Sequence, residues 1–381
     1  MNKKIKIAFV ARTIGLEYDD RIRKESLALT NQGAEVFIYV NFADNREENG
    51  LTSYGIAYKS FKLKSRDLLP SSKFLLIKSI DFYFNVRKYL SDYDVVWAHE
   101  EYTYLFPLLI EKDKCIWDLH EIPFRFEHAI MKPIFHYIES RSKKLIHANK
   151  YRIQYLKSSG VIKYPEKNVY LNNYPDDNFL LSNSIDNEYS NFMKWLGDDS
   201  KYVYLQGLTV ERRYPLQTIE AIMETSNLRA IVVGEFNKDA YEILEKKYSL
   251  ELNERIYFRG MVNQLDITAY IKNALFSIVL YDTKTPNNRY CEPNRLYQSI
   301  LMGIPVIVGC NEPMKKLVDF NKFGISLESD GSKLEDIVNA IDNLLSNYQY
   351  YLTAVTNNTK HLVWSNNNIK ETWYKILKES E

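Results

Sequence analysis

The stretch EPNRLYQSILMGIPVIVG, Glu292 to Gly309, holds the residues best placed for chemistry. It reads as a polar loop with a carboxylate, a proline and an arginine, then an apolar-periodic helix from about Leu296, then Gly303, a Pro305 stop and a buried strand. The first N–H groups of a helix have no intrahelical partner and its dipole favours negative charge, so Arg295 at that point suggests phosphate. An ordinary βαβ connection with a surface arginine has the same pattern. Other polar residues also fall at strand ends. DLHE, Asp118 to Glu121, closes an apolar run before Pro123 and presents His120 and Glu121 at a sheet edge. His99 and Glu100 close YDVVWAHE in the same way. Gly15, in the loop after the first strand, lets backbone approach a phosphate or sugar. Arg21 and Glu25 lie one helical turn apart, the spacing of a surface ion pair worth about 0.2–0.5 kcal/mol.

Such residues need a scaffold that gathers strand ends. KIKIAFVA, AEVFIYVN, YDVVWAHE and KCIWDLHE each read as a parallel strand, a short apolar run ending in polar residues. Helices are expected around Arg21 to Asn31, Phe74 to Tyr89 and Tyr104 to Glu111. This is a doubly wound α/β pattern, in which ligands sit outside the carboxyl ends of the strands. A polar stretch from Asp176 to Asp199, with a short helix at Asn187 to Leu196, precedes a second set: YVYLQG, RAIVVGE, RIYFRG, FSIVLY and PVIVG. The expected domains are 1–175, a linker at 176–199, 200–363, and an amphipathic tail at 364–381.

Composition narrows the classes. A chain of 381 residues, 45% hydrophobic, suffices for two folded domains. Three dispersed cysteines give neither a metal cluster nor a disulfide framework, which points to a reducing cytoplasm. The start has no signal-peptide core, and no apolar run approaches a membrane span. The net charge of +1 hides an asymmetry: residues 1–175 carry 28 Lys+Arg against 21 Asp+Glu, a net of +7, and the remainder 22 against 28, a net of −6. From Lys132 to Lys163 the bases alternate with aromatic and apolar residues, suiting either a solvated helix face or a helix resting on anionic lipid. Nucleic acid is not expected as a partner, for the surplus is modest and no recognised motif appears.

Taken in order, Asp19, Arg21, Lys24 and Glu25 of the opening, DLHE, LNNYP (Asn173 and Pro175), the Gly207 turn, the Gly260 loop and EPNRLYQ resemble the retaining glycosyltransferases of the GT-B fold, family 4. The resemblance implies two Rossmann-like domains facing each other across a cleft, with a last helix crossing back to the first. It implies a nucleoside-diphosphate sugar donor, UDP by family frequency, and a glycan or lipid-linked acceptor in cell-surface polysaccharide assembly. On the donor side it places Gly15, Gly207, Gly260, Val262, Glu292, Asn294, Leu296 and Gln298, with Arg213 and Arg295 as cations for the diphosphate. His120 would orient and polarise, and His99, Glu100 and Glu121 are acceptor-side candidates. No metal or other cofactor is expected, since arginines and helix N-termini replace an Asp-x-Asp ion in this fold. The chain departs from the pattern at Gln298, where a glutamate is usual, and at Tyr214, where a glycine usually follows the arginine. Phe236 likewise replaces the second glycine of a Gly-x-Gly loop. A nucleotide-sugar 2-epimerase and a catalytically weakened binding subunit are the alternatives.

Overall fold

The computed structural model describes residues 4–69, 74–197 and 201–364, so the expected carboxyl-terminal helix lies outside the described residues, apart from Trp364. The chain divides into two compact units that meet between Asn172 and Asn173.

The first unit is built on β1 (Lys6–Thr13), β2 (Glu35–Phe42), β3 (Asn49–Leu51), β4 (Ala57–Ser60), β5 (Val95–His99), β6 (Cys115–Leu119), β7 (Lys144–His147) and β8 (Asn168–Tyr170). They form one sheet in the order β3-β4-β2-β1-β5-β6-β7-β8, parallel except for the β3–β4 edge pair. β1 sits inside the sheet with Ile7 to Ala11 fully buried, which is why its sequence is continuously apolar rather than alternating. The helix Asp20–Asn31 starts where the Asp19 side chain accepts from the Ile22 N–H, an N-cap that satisfies one of its free donors. Chain order reverses at β1, between β2 and β5, so the carboxyl ends of β1, β5 and β6 form the switch point.

The second unit is built on β9 (Val203–Gln206), β10 (Ala230–Val233), β11 (Ile256–Gly260), β12 (Ser277–Val279), β13 (Val306–Val308) and β14 (Gly324–Ser326). Its order is β11-β10-β9-β12-β13-β14, parallel throughout, and the switch point falls between β9 and β12. The stretch expected as a linker packs onto this unit. Phe179, Phe192 and Leu196, from the helices Asp177–Leu180 and Tyr189–Leu196, are buried with Tyr202 and Tyr270. Residues 198–200, which include Asp198 and Asp199, lie outside the described residues.

Two expectations change. The basic segment from Lys132 is not one helical face: Lys132–Arg141 and Lys150–Ser158 are helices, β7 runs between them, and Lys144 opens that strand. Ile138, Leu156 and Arg152 point inward. The helix of the EPNRLYQ stretch begins at Asn294 rather than Leu296, and Leu296, Tyr297 and Ile300 form its core face.

Candidate functional site

At the switch point of the first unit a buried carboxylate organises its neighbours. Asp118 lies within β6 and is fully buried, so it requires compensation. Arg21 supplies it with a bidentate pair, Nε donating to Oδ2 at 2.9 Å and Nη2 to Oδ1 at 2.7 Å, while Nη1 donates to the Leu171 carbonyl at 3.0 Å. Arg21 also lies 3.0 Å from Glu25, with 3% and 0% exposure respectively. The Arg21–Glu25 contact is therefore a buried appendage of the Asp118 pair, not the surface ion pair that the spacing suggested. Burial opposes ionisation of Asp118, yet Arg21 and then His120 hold its pKa well below the usual carboxylate range. Burial and then repulsion from Asp118 push Glu25 well above that range.

Two imidazoles complete the cluster. β5 and β6 pair with His99 opposite Asp118, which turns His99 inward. It is 1% exposed, so the acceptor-facing placement of His99 is corrected: it packs beneath His120. His99 Nδ1 lies 3.2 Å from His120 Nε2 and 3.5 Å from Asp118 Oδ2. His120 Nε2 lies 3.3 Å from that same oxygen, and its Nδ1 lies 2.9 Å from Glu100 Oε1. Burial works against a charge on His120, but Glu100 and Asp118 outweigh it and raise its pKa well above the ordinary imidazole value. Burial lowers that of His99. His120 is thus a held proton at the accessible end of the cluster.

Glu100 adopts φ 68° and ψ 164°, a region that only glycine occupies readily, at a cost of about 1–3 kcal/mol. Its N–H donates to the Asp118 carbonyl at 2.8 Å, its carbonyl accepts from Trp117 Nε1 at 3.0 Å, and its carboxylate meets His120. These contacts hold the strained residue in place. The His120 carbonyl accepts from Arg152 Nη1, a contact across 32 positions that the sequence reading missed. Glu121 is exposed beside them. Gly15 is buried but extended, at φ −175°, a conformation any residue adopts. A Cβ there would come 3.1 Å from the Tyr18 ring, so close packing rather than backbone freedom accounts for that glycine.

In the second unit two guanidiniums converge at the switch point. Arg295, 5% exposed, donates to the Gln206 carbonyl at the end of β9 and to the Leu280 carbonyl just past β12 at 3.1 Å, spanning the switch. Arg213 Nη1 donates to the Gly207 carbonyl at 2.5 Å. Both rest on the Tyr281 ring, 4.7 Å and 5.2 Å from its centroid. Gly207 has φ 66°, and a Cβ there would lie 2.8 Å from Arg213 Nη1 and 3.9 Å from Arg295 Nη1. Among the described residues neither arginine has a carboxylate partner, and the Nε atoms of both are buried without an acceptor. Burial lowers the Arg295 pKa, and the charge of Arg213 adds to that fall. Two cations bonded only to carbonyls at one point form a site for an anion.

Tyr214 occupies the position where a glycine was expected and adopts the conformation a glycine would, φ 53° and ψ 52°. Its ring packs against the core of the second unit and against Gly331, which offsets the left-handed backbone and keeps the turn into the helix Pro215–Glu224. Gln298 is 2% exposed; its Nε2 donates to Gln264 Oε1 at 3.0 Å, and its own Oε1 has no partner. That bond ties the helix Asn294–Leu301 to the loop after Gly260. Glu292 and Asn294 are half-buried ahead of Arg295. Leu296 and Val262 are buried, so their side chains belong to the core, not to a polar contact.

No protein-family model matches the sequence, and no curated protein does. Solved structures do. Sucrose-phosphate synthase from Thermosynechococcus elongatus is similar over 99% of this chain and 100% of its own, at 13% identity and a TM-score of 0.75. Anabaena HepE in complex with UDP and glucose is similar over 98% and 100%, at 15% identity and 0.72. WaaG, a glycosyltransferase involved in lipopolysaccharide biosynthesis, covers 98% and 100% at 14% identity and 0.67. A putative UDP-N-acetylglucosamine 2-epimerase from Listeria monocytogenes covers 100% and 98%, at 11% identity and 0.63. These likenesses establish the fold: two parallel-sheet halves of the GT-B type.

Proposed function

We propose that the protein is a retaining glycosyltransferase of the family 4 type, moving a sugar from a nucleoside-diphosphate donor, UDP by default, to a glycan or lipid-linked acceptor in surface-polysaccharide assembly. The observation that carries this reading is the pair Arg213 and Arg295, converging at Gly207 without a carboxylate partner among the described residues. In this reading their charges hold the leaving diphosphate and replace a divalent ion, as fixed dipoles and cations do where charge develops. A donor ribose hydroxyl, in this reading, reaches the buried, unpartnered Oε1 of Gln298 by displacing Gln264 from its amide. In the first unit His120, oriented by Glu100 and Asp118, is a positioned cationic donor suited to a sugar oxygen. The UDP in the HepE structures supports the choice of base. The test is turnover of nucleotide sugars after chelation: release of UDP with retention at the anomeric carbon is expected to persist in EDTA. Abolition with rescue by Mg²⁺ or Mn²⁺ overturns it.

Peripheral contact with an anionic membrane from the cytoplasmic side belongs to the same reading and rests on the basic excess of residues 1–175. No helix of the described residues is long and apolar enough to cross a membrane. Salt-sensitive recovery on anionic vesicles tests it, and equal recovery on neutral ones argues against it. A second reading, 2-epimerisation of a nucleotide sugar, gains from the acid and base groups that Glu25, His99, Glu100, Asp118 and His120 bring together. An epimeric nucleotide sugar or free epimerised sugar, formed without an acceptor, would select it.

A further inference from the structure

We propose that the outer face of the helix Leu75–Val86 is the surface by which the first unit rests on a lipid bilayer with anionic headgroups. This helix exposes what a soluble helix buries. Leu76, Ile77, Ile80 and Phe84 are 39–51% exposed, while Lys78 and Ser79 are buried. At a helical step of about 100° per residue the four apolar side chains fall within a sector of about 100°, one continuous stripe rather than scattered exceptions. The stripe is not a core left unpacked, because the inward face has its own partners. The Phe82 and Tyr83 rings lie 5.7 and 5.2 Å from that of Phe106 in the neighbouring helix Leu105–Leu109. The helix's one carboxylate is turned back to the fold: Asp81 accepts from Ser65 N and Oγ at 2.9 and 2.7 Å and from Asn85 Nδ2 at 2.9 Å.

Charge selects the occupant. Bases gather where the stripe ends: Arg87 Cζ lies 4.4 Å from the Phe84 ring centroid, and Lys59 and Lys88 lie 5.1 and 5.2 Å from that of Tyr89. Arg87 and Lys88 are exposed. An apolar face finished by aromatic rings and bases matches the boundary between acyl chains and anionic headgroups, where long basic side chains extend to the phosphates. The basic excess of residues 1–175 favours the same partner. The stretch from Lys132 to Lys163 offers no comparable face, since β7 interrupts it and Ile138 and Leu156 turn inward. This inference rests on the peripheral contact proposed above and assigns it to one face. The helix is already anchored by its buried side, so docking requires no folding step.

The experiment is co-sedimentation of the full chain with vesicles of phosphatidylcholine alone and of equal parts phosphatidylcholine and phosphatidylglycerol, at low and high salt. Recovery on the mixed vesicles is expected. Ile77→Gln combined with Phe84→Gln should weaken it by at least about 10-fold, and the loss should persist at high salt because apolar contact is not screened. Arg87→Gln combined with Lys88→Gln should weaken it by about 10-fold at low salt and far less at high salt. Phe84→Trp should tighten it, a gain that damage to the fold does not produce. Phe320→Gln, at an exposed phenylalanine of the second unit, should change nothing. Recovery of the Ile77→Gln, Phe84→Gln chain at the parent's level overturns this face and leaves the peripheral reading intact, whereas no recovery of the parent overturns both. A parent dimer that the same variant converts to monomers assigns the face to a second copy and also overturns the proposal. UDP binding by each variant reports the transfer reading separately.

Discussion

Arg213 and Arg295 differ in how much the protein invests in them, and their variants should differ accordingly. Arg295 ties the ends of two strands together, so Arg295→Ala removes fold contacts along with charge, whereas Arg295→Lys keeps the charge and loses the fork. Arg213 has a single backbone bond. Arg213→Ala is expected to weaken UDP binding by about 1.5–3 kcal/mol, the range for a lost hydrogen bond to a charged group, with little change in melting temperature. Unchanged affinity in Arg213→Ala and Arg295→Lys alike would place the diphosphate elsewhere. Gln298 offers a finer test. Gln298→Leu leaves Gln264 without its partner at a cost of about 1–3 kcal/mol, and donor affinity should fall. Gln298→Glu can accept from Gln264 once that amide turns over, and it offers a charged oxygen to a hydroxyl, so donor affinity should hold or rise. If Leu is harmless to binding and Glu damaging, the ribose assignment is wrong.

At the scale of elements, turns that demand unusual backbone decide the geometry. Tyr214→Ala and Tyr214→Gly both lose the packing of the ring, but Ala keeps the left-handed strain, so it should destabilise more than Gly, which relieves about 1–2 kcal/mol. Chemical denaturation of the two variants checks the order, and equal losses would mean that the backbone at this turn is unstrained. The doubly wound arrangement was legible because each strand is a continuous apolar run, and the polar residues at strand ends followed from it. β7 and β8 were not legible. KLIH and NVY are three or four residues long and lie among lysines and tyrosines, whose spacing imitates a helix face. Nor was the inward turn of His99, which depends on the register that sets it opposite Asp118. A carboxylate inside the run CIWDL was the available signal, since a buried charge requires a partner, but Arg21 lies 97 positions away.

For the molecule as a whole, buried titratable groups pull the dependence of stability on pH in opposite directions. His147 is buried against Asn168 Oδ1 at 2.7 Å, and burial pushes its pKa down to about 4. Between that value and about 6.5 the unfolded chain binds a proton that the folded one refuses, so stability falls as pH drops, by up to about 1.4 kcal/mol per unit. His120 acts in the opposite sense. Its raised pKa gives stability that is full below about 6.5 and is lost as pH rises through the folded value. Urea midpoints should therefore fall more steeply, or rise less, from pH 7 to 4.5 in the unaltered chain than in His147→Gln. An equal dependence would assign the acid sensitivity to other groups. The measurement that bears most directly on the central claim is calorimetric titration of the chelator-treated chain with UDP, GDP, ADP and dTDP, alongside the corresponding nucleosides. One diphosphate is expected to bind without added metal, its nucleoside far more weakly, with the difference shrinking in Arg213→Ala. Failure of all four diphosphates to bind, or a nucleoside binding as tightly as its diphosphate, would contradict the assignment of the paired arginines to a nucleotide-sugar donor.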